Sequence, residues 1–494
     1  MSLINVSNLT FTYEGSYDNI FENVSFQIDT DWRLGFTGRN GRGKTTFLNL
    51  LLGKYEYSGK ITADVDFEYF PYEVKNKEDN TIDVINGICS DYPQWELMRE
   101  LSQLEVADEV LYRPFNTLSN GEQTKVLLTA LFLKENSFLL IDEPTNHLDI
   151  YARKIVSDYL DTKKGFILVS HDRAFLDNCI DHILSINRTN IEIQRGNFTS
   201  WLQNKTMQDN YELAQNERLK KDIKRLSAAA RRTSEWADQI EKTKIGTRNS
   251  GLRPDRGYIG HKSAKMMKRS KSIEANELKA TEQKSKLLKN IESSESLKIP
   301  IMEFYTNRLV ELQNVSLFYG QREVCSGLSF AVEQSDRVSL RGRNGSGKTS
   351  ILKLICGESI EYSGKFQKGS GLKISYVSQD TSFLSGSLTD FASKYCIDES
   401  LLKAILRKLD FQRVQFEKDM SDFSEGQKKK VLIAKSLCEK AHLYVWDEPL
   451  NFIDVISRIQ IEELLLEYKP TILFVEHDSE FCKNIATKII NIEK

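Results

Sequence analysis

The fold is decided by the stretch Gly38-Arg39-Asn40-Gly41-Arg42-Gly43-Lys44-Thr45-Thr46, which recurs about 305 residues later as Gly342-Arg343-Asn344-Gly345-Ser346-Gly347-Lys348-Thr349-Ser350. Each copy follows a short apolar run and opens a helical pattern, as a phosphate-binding loop does. Its glycines let backbone N–H groups turn toward phosphate oxygens, its lysine reaches the terminal phosphates, and Thr45 or Thr349 can ligate Mg²⁺. A loop that no longer binds phosphate is the alternative interpretation of either copy.

Two acidic residues and a later histidine repeat in the same order. They are Asp142, Glu143 and His171 in the first copy and Asp447, Glu448 and His477 in the second. Each aspartate ends an apolar strand, where a carboxylate can orient the Mg²⁺ shell. The glutamate can polarise the attacking water and the histidine can contact the γ-phosphate, which suits phosphoryl transfer. A purely structural histidine is the alternative.

Residues 1–200 and 305–494 alternate short β-branched runs with helical patterns. This alternation predicts an α/β fold with a parallel sheet in each of two domains. The functional loops of such sheets lie at the carboxyl ends of the strands. At 494 residues the chain has room for both domains and for a further segment between them.

The composition, with 40% hydrophobic and 28% charged residues, is that of a globular protein. No run approaches the roughly 20 apolar residues that cross a bilayer, and the first residues lack the pattern of a secretory signal. The seven cysteines are scattered and never form CxxC, which indicates reduced thiols and no zinc or iron–sulfur framework. We therefore expect a cytoplasmic protein that needs no membrane partner.

The segment 201–294 between the domains is basic, although the whole chain carries a net charge of only −2. Residues 201–290 hold 22 Lys and Arg against 11 Asp and Glu, which indicates a polyanionic partner. Apolar residues recur at helical spacing on both sides of a Gly- and Pro-containing tip, at about 242–262. This pattern predicts an antiparallel coiled-coil hairpin, and a disordered charged linker is the alternative.

The hairpin tip supplies the candidate RNA contacts. They are Lys242, Lys244, Arg248, Arg253, Arg256, Tyr258 and Lys262. The cations can neutralise RNA phosphates, which gives salt-dependent binding, and the tyrosine can stack on unpaired bases. For any single one of these residues, a solvated loop position is the alternative.

A serine–glycine motif upstream of each acidic strand narrows the class. Its copies are Leu118-Ser119-Asn120-Gly121-Glu122-Gln123 and Phe423-Ser424-Glu425-Gly426-Gln427-Lys428. With the other landmarks they resemble the signature of the ATP-binding-cassette superfamily, over nearly all of both end segments. The resemblance implies ATPase activity with ATP and Mg²⁺. It also implies tandem cassettes of one chain that close head to tail, with each nucleotide between one phosphate loop and the opposite signature.

The resemblance therefore implies two composite sites. Site one joins Lys44, Asp142, Glu143 and His171 to Ser424 and Gly426. Site two joins Lys348, Asp447, Glu448 and His477 to Ser119 and Gly121. Tyr13 and Tyr319 match the aromatic residue that stacks on adenine, and a core position is the alternative for a lone tyrosine. The remaining expected ATP contacts are Gly38, Asn40, Gly41, Gly43, Thr45, Thr46, Glu122, Gly342, Asn344, Gly345, Gly347, Thr349, Ser350 and Gln427.

The two copies differ in ways that predict unequal sites. Gln379 matches the family glutamine that ligates Mg²⁺, whereas the aligned position in the first copy carries Tyr72. Ser170, before the first histidine, becomes Glu476 before the second. Because Glu143 and Glu448 are both retained, both sites keep the capacity to hydrolyse ATP.

Tandem cassettes joined by a basic helical hairpin resemble the ABC-F family of ribosome-binding ATPases. Arg195-Gly196-Asn197-Phe198-Thr199 before the linker also matches that family. Housekeeping members commonly carry an arm between the glutamine loop and the first signature, but the spacing from Tyr72 to Ser119 leaves no room for one. The long tip and the missing arm resemble the antibiotic-resistance branch, closest to Lsa- and Vga-type proteins.

The resemblance to that branch implies binding in the ribosomal exit site in the ATP-bound state, as a monomer. The hairpin would displace P-site tRNA and reach toward the peptidyl-transferase centre of the bacterial ribosome. Lincosamides, pleuromutilins and streptogramin A would then dissociate, and hydrolysis would release the protein. A housekeeping translation factor of the same fold is the second hypothesis, and the ATPase subunit of an importer is the third.

Overall fold

A computed structural model describes residues 2–13, 19–134, 136–146, 148–186, 191–242, 255–286 and 301–492. The chain divides into two compact units. One contains Met1–Thr199 together with Ser294–Lys494, and the other is Ser200–Ser293. The first unit holds both repeated α/β domains, here called cassette one and cassette two, and the α/β prediction is confirmed.

Cassette one contains nine strands and six helices among its described residues. The strands are β1 (Leu3–Phe11), β2 (Phe21–Asp29), β3 (Arg33–Gly38), β4 (Ser58–Thr62), β5 (Asp66–Phe70), β6 (Ser137–Asp142), β7 (Phe166–Val169), β8 (His182–Ile186) and β9 (Ile191–Arg195). The helices are α1 (Lys44–Leu51), α2 (Thr81–Ile88), α3 (Gln94–Gln103), α4 (Asn120–Phe132), α5 (Ile150–Asp161) and α6 (Arg173–Cys179).

The second unit is built from two long helices, α7 (Phe198–Lys242) and α8 (Arg256–Lys286). Ser263 Oγ donates to the Ala237 carbonyl and Ser270 Oγ to the Ala230 carbonyl, both at 3.2 Å. The later serine on α8 bonds to the earlier alanine on α7, so the two helices are antiparallel, as the sequence predicts. Small residues at this seam let the two backbones approach closely.

Helix α8 begins earlier than the glycines near the tip predict. Asp255 Oδ1 accepts hydrogen bonds from the backbone N–H groups of Gly257 and Tyr258, each at 3.0 Å. A side-chain acceptor at a helix start satisfies N–H groups that have no partner within the helix. The cap therefore outweighs the low helix propensity of Gly257 and Gly260.

Cassette two repeats the plan with eight strands and six helices among its described residues. The strands are β10 (Arg308–Tyr319), β11 (Arg322–Glu333), β12 (Arg337–Arg341), β13 (Glu361–Lys368), β14 (Ile374–Val377), β15 (Leu443–Asp447), β16 (Ile472–Val475) and β17 (Lys488–Asn491). The helices are α9 (Lys348–Cys356), α10 (Leu388–Lys394), α11 (Glu399–Lys408), α12 (Glu425–Cys438), α13 (Val455–Tyr468) and α14 (Ser479–Ile485).

Each cassette has an antiparallel three-stranded sheet and a larger, mainly parallel sheet. The larger sheets have the orders β5-β6-β7-β3-β8-β9 and β14-β15-β16-β12-β17. Their central strands are almost fully buried, with apolar side chains on both faces, as is typical of parallel sheets covered by helices. The phosphate loops, acidic residues and histidines follow strands that are neighbours in these sheets, so all three lie at one sheet edge. No helix in the described part of the chain has the length and apolar content to cross a membrane.

Candidate nucleotide sites

Both predicted phosphate loops connect a buried strand to a helix that starts at the motif lysine. Gly43 and Gly347 precede that lysine with φ of 90° and 88°, in the left-handed region that favours glycine. Lys44 Nζ donates to the Gly38 carbonyl at 2.6 Å, and Lys348 Nζ donates to the Gly342 carbonyl at 2.9 Å. Each ammonium group is therefore held over its own loop, beside the helix start where a phosphate binds best.

The aspartates that end β6 and β15 lie beside the threonines of the same loops. Thr45 Oγ1 donates to Asp142 Oδ2 at 3.2 Å. Burial raises the pKa of Asp447 to about 6, and a hydrogen bond from Thr349 partly offsets that rise. Both carboxylate oxygens of Asp447 are buried and show little further hydrogen bonding among the described groups. Such a carboxylate beside a threonine hydroxyl fits Mg²⁺, which takes few protein oxygens and completes its shell with phosphate and water.

Each candidate water-activating glutamate contacts the histidine of its own cassette. His171 Nε2 lies 3.2 Å from Glu143 Oε1, and His477 Nε2 lies 3.3 Å from Glu448 Oε1. Both glutamates adopt a left-handed backbone, with φ of 52° and 47°. Non-glycine residues in that region are uncommon, and such strain concentrates at functional sites.

The two glutamates nevertheless differ in protonation. Burial, and then the charge of Asp142, raise the pKa of Glu143 to about 8. Burial also acts on Glu448, but hydrogen bonds from His477 and Asn451 and the charge of Lys348 outweigh it and lower the pKa. Gln379 Nε2 donates to Glu448 Oε2 at 2.8 Å. The pKa of Glu143 is therefore raised and that of Glu448 is lowered, so Glu143 needs a higher pH than Glu448 to act as a base.

The structure brings the second signature to the first phosphate loop. Asn40 Nδ2 donates to the Phe452 carbonyl at 2.8 Å, across the cassette interface. A Cβ on Gly426 would lie 3.0 Å from Asn40 Nδ2 and 2.4 Å from the Phe452 carbonyl oxygen. Only a residue without a side chain fits there. Ser424 caps α12 and accepts from the Gln427 N–H at 3.4 Å, which presents the helix start toward site one.

The structure also brings the first signature to the second phosphate loop. A cavity of about 710 Å³ lies between them. Its predicted lining residues are Ser119, Gly121, Glu122, Asn344, Gly345, Gly347, Lys348, Thr349, Ser350, Gln379, Glu448 and His477. The Asn344 N–H donates to Asp149 Oδ2 at 3.5 Å, again across the interface. Both composite groupings are thus present as geometry.

The two candidate adenine tyrosines lie beside the first turn of the helix that follows each loop. Tyr13 Oη and Thr46 Oγ1 are 2.8 Å apart, and Tyr319 Oη donates to Ser350 Oγ at 3.3 Å. Both rings remain partly exposed. Their position next to the phosphate loop is compatible with stacking on a base.

Tyr72 does not lie at the magnesium position. Its hydroxyl donates to Glu68 Oε2 at 3.2 Å, away from Asp142. Instead Tyr69 Oη donates to Asp142 Oδ2 at 3.1 Å. Tyr376, the matching residue of cassette two, lies near Asp447 in the same way, and burial followed by the Asp447 charge raises its pKa. No sequence motif marks these tyrosines, although both stand three residues before Tyr72 and Gln379.

The cassettes are also joined by buried ion pairs that the sequence did not reveal. Arg173 Nη2 lies 2.6 Å from Glu462 Oε2 across the interface. Asp410 Oδ2 lies 3.7 Å from Arg39 Nη1 and 3.6 Å from Arg42 Nη2. All these contacts adjoin site one. Of these residues, only Arg39 and Arg42 lie in a recognisable sequence motif, the first phosphate loop.

The candidate RNA contacts that the structure describes are all exposed. Lys242 ends α7, and Arg256, Tyr258 and Lys262 lie on the first turns of α8. Tyr258 is 65% exposed, and Trp236 on α7, which the sequence analysis did not single out, is 57% exposed. Lys244, Arg248 and Arg253 lie outside the described residues.

Comparison with known proteins agrees with this geometry. A family model described as "ABC transporter" matches residues 21–146 and 325–451, one match in each cassette. A crystal structure of a complex of an archaeal ribosomal stalk protein and the archaeal ribosome recycling factor aABCE1 is similar in fold, with a TM-score of 0.64 at 18% identity. That similarity covers 99% of this chain and 87% of the other.

Three curated relatives align over nearly the whole chain. The ATP-binding protein Uup of Buchnera aphidicola is 27% identical over 100% of this chain and 81% of its own length. The ribosome protection protein VmlR of Bacillus subtilis is 26% identical over 99% and 86%. The erythromycin resistance ATP-binding protein MsrA of Staphylococcus epidermidis is 28% identical over 95% and 93%.

The matched cassettes hold the phosphate loops and the acidic strand ends. The chain is therefore an ATPase. The similarity to full-length tandem-cassette relatives extends through the helical segment between the cassettes. The chain belongs to the ABC transporter family.

Proposed function

We propose that this chain is an ATP-dependent ribosome protection protein that acts on the bacterial ribosome. The observation that carries the proposal is the exposed basic helical hairpin, which lies between the two cassettes in the sequence. Lys262, Lys265, Lys268 and Arg269 all project from one end of α8 as exposed side chains. Cations concentrated on a narrow helical arm suit folded RNA, because each phosphate contact releases bound counterions.

The relatives support the same class of partner. The names of two of them refer to ribosome protection and to erythromycin resistance. Residues 73–118 form α2, α3 and two short 3₁₀ turns, so cassette one carries no inserted arm in a region that is fully described. This compact form supports placement in the antibiotic-resistance branch, near Lsa- and Vga-type proteins.

The proposed cycle uses the two composite sites as a clamp. Lys44 and Lys348 hold the terminal phosphates, and the helix starts at Ser424 and Ser119 complete each site from the other cassette. Thr45 with Asp142 would hold Mg²⁺ at site one, and Thr349 with Asp447 and Gln379 would hold it at site two, where the ion would supply charge neutralisation for the phosphates. Glu143 and Glu448 accept a proton from the attacking water. ATP closes the clamp on the ribosome, and hydrolysis releases it.

The closed protein is proposed to bind the ribosomal exit site and to contact rRNA and P-site tRNA. Its hairpin tip then reaches toward the peptidyl-transferase centre, where Tyr258 and its basic neighbours disturb the binding of lincosamides, pleuromutilins and streptogramin A. The protein acts as a cytoplasmic monomer, since both composite sites are completed within one chain.

Expression of the intact chain in a susceptible bacterium tests this proposal. We expect higher inhibitory concentrations for the three drug classes, and loss of that effect on deletion of residues 246–260 with ATPase activity preserved. Tyr211→Ala changes an exposed aromatic residue in the half of α7 that is farther from the tip in the sequence. It is the matched control and should keep resistance. Altered translation without resistance from the intact chain would favour a housekeeping factor.

Ribosome binding is tested separately with the double variant Glu143→Gln/Glu448→Gln. This variant binds ATP without hydrolysing it and should therefore remain on ribosomes during sedimentation. Lys262→Glu/Lys265→Glu in that background should weaken sedimentation and reduce its salt dependence. Absence of ribosome binding in ATP would contradict both translational functions.

A further inference from the structure

Helix α12 has contacts in both nucleotide sites. Its first turn, with the Ser424 cap and Gly426, faces Asn40 in the phosphate loop of site one. Lys429, one turn later on the same helix, points into cassette two and is 2% exposed. Its Nζ donates to the Ser378 carbonyl at 3.0 Å and to the Glu448 carbonyl at 3.3 Å.

These two carbonyls belong to the chemistry of site two. Ser378 immediately precedes Gln379, and Glu448 is the candidate water-activating residue to which Gln379 donates at 2.8 Å. A second contact attaches the same loop to α12, because Thr381 Oγ1 donates to Glu425 Oε2 at 2.5 Å. The glutamine loop is therefore held to α12 at two points, and one of them also holds the Glu448 backbone.

Cassette one lacks this arrangement. Thr124 matches Lys429 and donates its hydroxyl to the Asn120 carbonyl of its own helix, at 3.0 Å. Ser170 matches Glu476, a buried acid that opposes the lowering of the Lys429 pKa by burial. A buried ammonium group is costly unless carbonyls and an opposite charge surround it. Cassette two supplies the carbonyls of Ser378 and Glu448, and cassette one has no cation at the matching position.

We propose that Lys429 is a positioning residue for hydrolysis at site two and that it makes this hydrolysis depend on site one. When the signature of α12 engages nucleotide at site one, the helix carries Lys429 with it and sets the Ser378–Gln379 loop and the Glu448 backbone. The dependence runs in one direction, because the matching helix α4 carries Thr124. The proposal rests on the assignment of Gln379 and Glu448 to site two.

The test exchanges the cassette two pair for the cassette one pair, in the variant Lys429→Thr/Glu476→Ser. Glu143→Gln leaves site two as the active site, and Glu448→Gln leaves site one. In the Glu143→Gln background we expect kcat to fall about tenfold, with the KM for ATP within about twofold. In the Glu448→Gln background kcat should stay within about twofold. Lys429→Arg keeps the positive charge and has N–H groups that can donate to both carbonyls, so it should recover part of the loss.

Equal losses in both backgrounds would show a general folding effect and overturn the proposal, as would an unchanged kcat in the Glu143→Gln background. If Glu143→Gln alone abolishes all hydrolysis, the site assignment fails instead, which is a distinguishable outcome. Thermal unfolding of each variant shows whether it remains folded.

The dependence on site one is tested by a double-mutant cycle. Ser424→Ala weakens the signature at site one and should lower site two turnover about threefold while Lys429 is present. In the Lys429→Thr/Glu476→Ser variant the same change should have no further effect. Additive losses would overturn the coupling, whatever the result for positioning.

Discussion

The two sides of the cassette interface use the same elements but are held together differently. Beside site one, Arg173 and Glu462 form a buried ion pair. The matching residues beside site two are Ser479 and Ser157, and they line a cavity of about 320 Å³. Asp410 faces two arginines of the first phosphate loop, whereas its counterpart Glu105 accepts instead from Tyr151 at 2.7 Å.

This difference teaches that the repeat keeps the motif residues of both sites but does not keep the contacts that hold each site closed. Site one is tightly joined, but burial raises the pKa of its Glu143. Site two is more open, and its Glu448, whose pKa is lowered, accepts a hydrogen bond from Gln379. We infer that site one acts as the more stable joint and site two as the faster hydrolytic site.

The largest expected effect is an unequal loss of turnover. At pH 7, Glu448→Gln should lower steady-state ATP hydrolysis about tenfold, because only about a tenth of Glu143 is ionised when its pKa is about 8. Glu143→Gln should lower it less than about twofold. Phosphate release under saturating ATP measures both. Identical defects would remove the inferred inequality.

The sequence alone predicted the architecture, and it named most of the residues that the structure brings together at the candidate sites, since the phosphate loops, acidic strand ends and signatures are local patterns that repeat. It also showed that the first copy carries Tyr72 at the position where the second copy carries Gln379. It could not show that Tyr69 contacts Asp142, because nothing in the local pattern distinguishes Tyr69 from Tyr72 as a partner of that carboxylate. The Arg173–Glu462 ion pair and the hydrogen bond from Lys429 to the Ser378 carbonyl join residues from distant parts of the chain, and single positions carry no signal of such contacts.

A pH profile sharpens the comparison. In the Glu448→Gln variant, turnover at site one should rise about fivefold between pH 7 and pH 8, because the glutamate acts as a base only when deprotonated and its raised pKa is about 8. Turnover of Glu143→Gln should stay nearly constant over that range, since the Glu448 pKa is lowered. Initial rates in buffers of constant ionic strength measure this. A flat profile for site one would show that Glu143 is ionised at neutral pH.

The interface contacts predict a difference in nucleotide release. Arg173→Ser/Glu462→Ser gives site one the residues found beside site two, and removal of both charges avoids a buried unpaired ion. We expect release of a fluorescent ATP analogue from site one to become about four times faster, in a Glu143→Gln/Glu448→Gln background. Ser479→Ala is the control and should leave release unchanged. If release at site one stays slow, the Arg39, Arg42 and Asp410 contacts are sufficient to close it.

The smallest effect concerns Tyr69, which contacts Asp142, whereas Tyr72, the residue aligned with Gln379, does not. Tyr69→Phe removes one hydrogen bond to Asp142, worth about 0.5–1 kcal/mol, so half-maximal activity at site one should need about three times more Mg²⁺. Tyr72→Phe removes a hydroxyl bonded to Glu68 and should change nothing, which makes it the matched control. Both are measured by Mg²⁺ titration in the Glu448→Gln background. An effect of Tyr72→Phe equal to that of Tyr69→Phe would mean that the loop rearranges when nucleotide binds, and the position opposite Gln379 would then belong to the metal site after all.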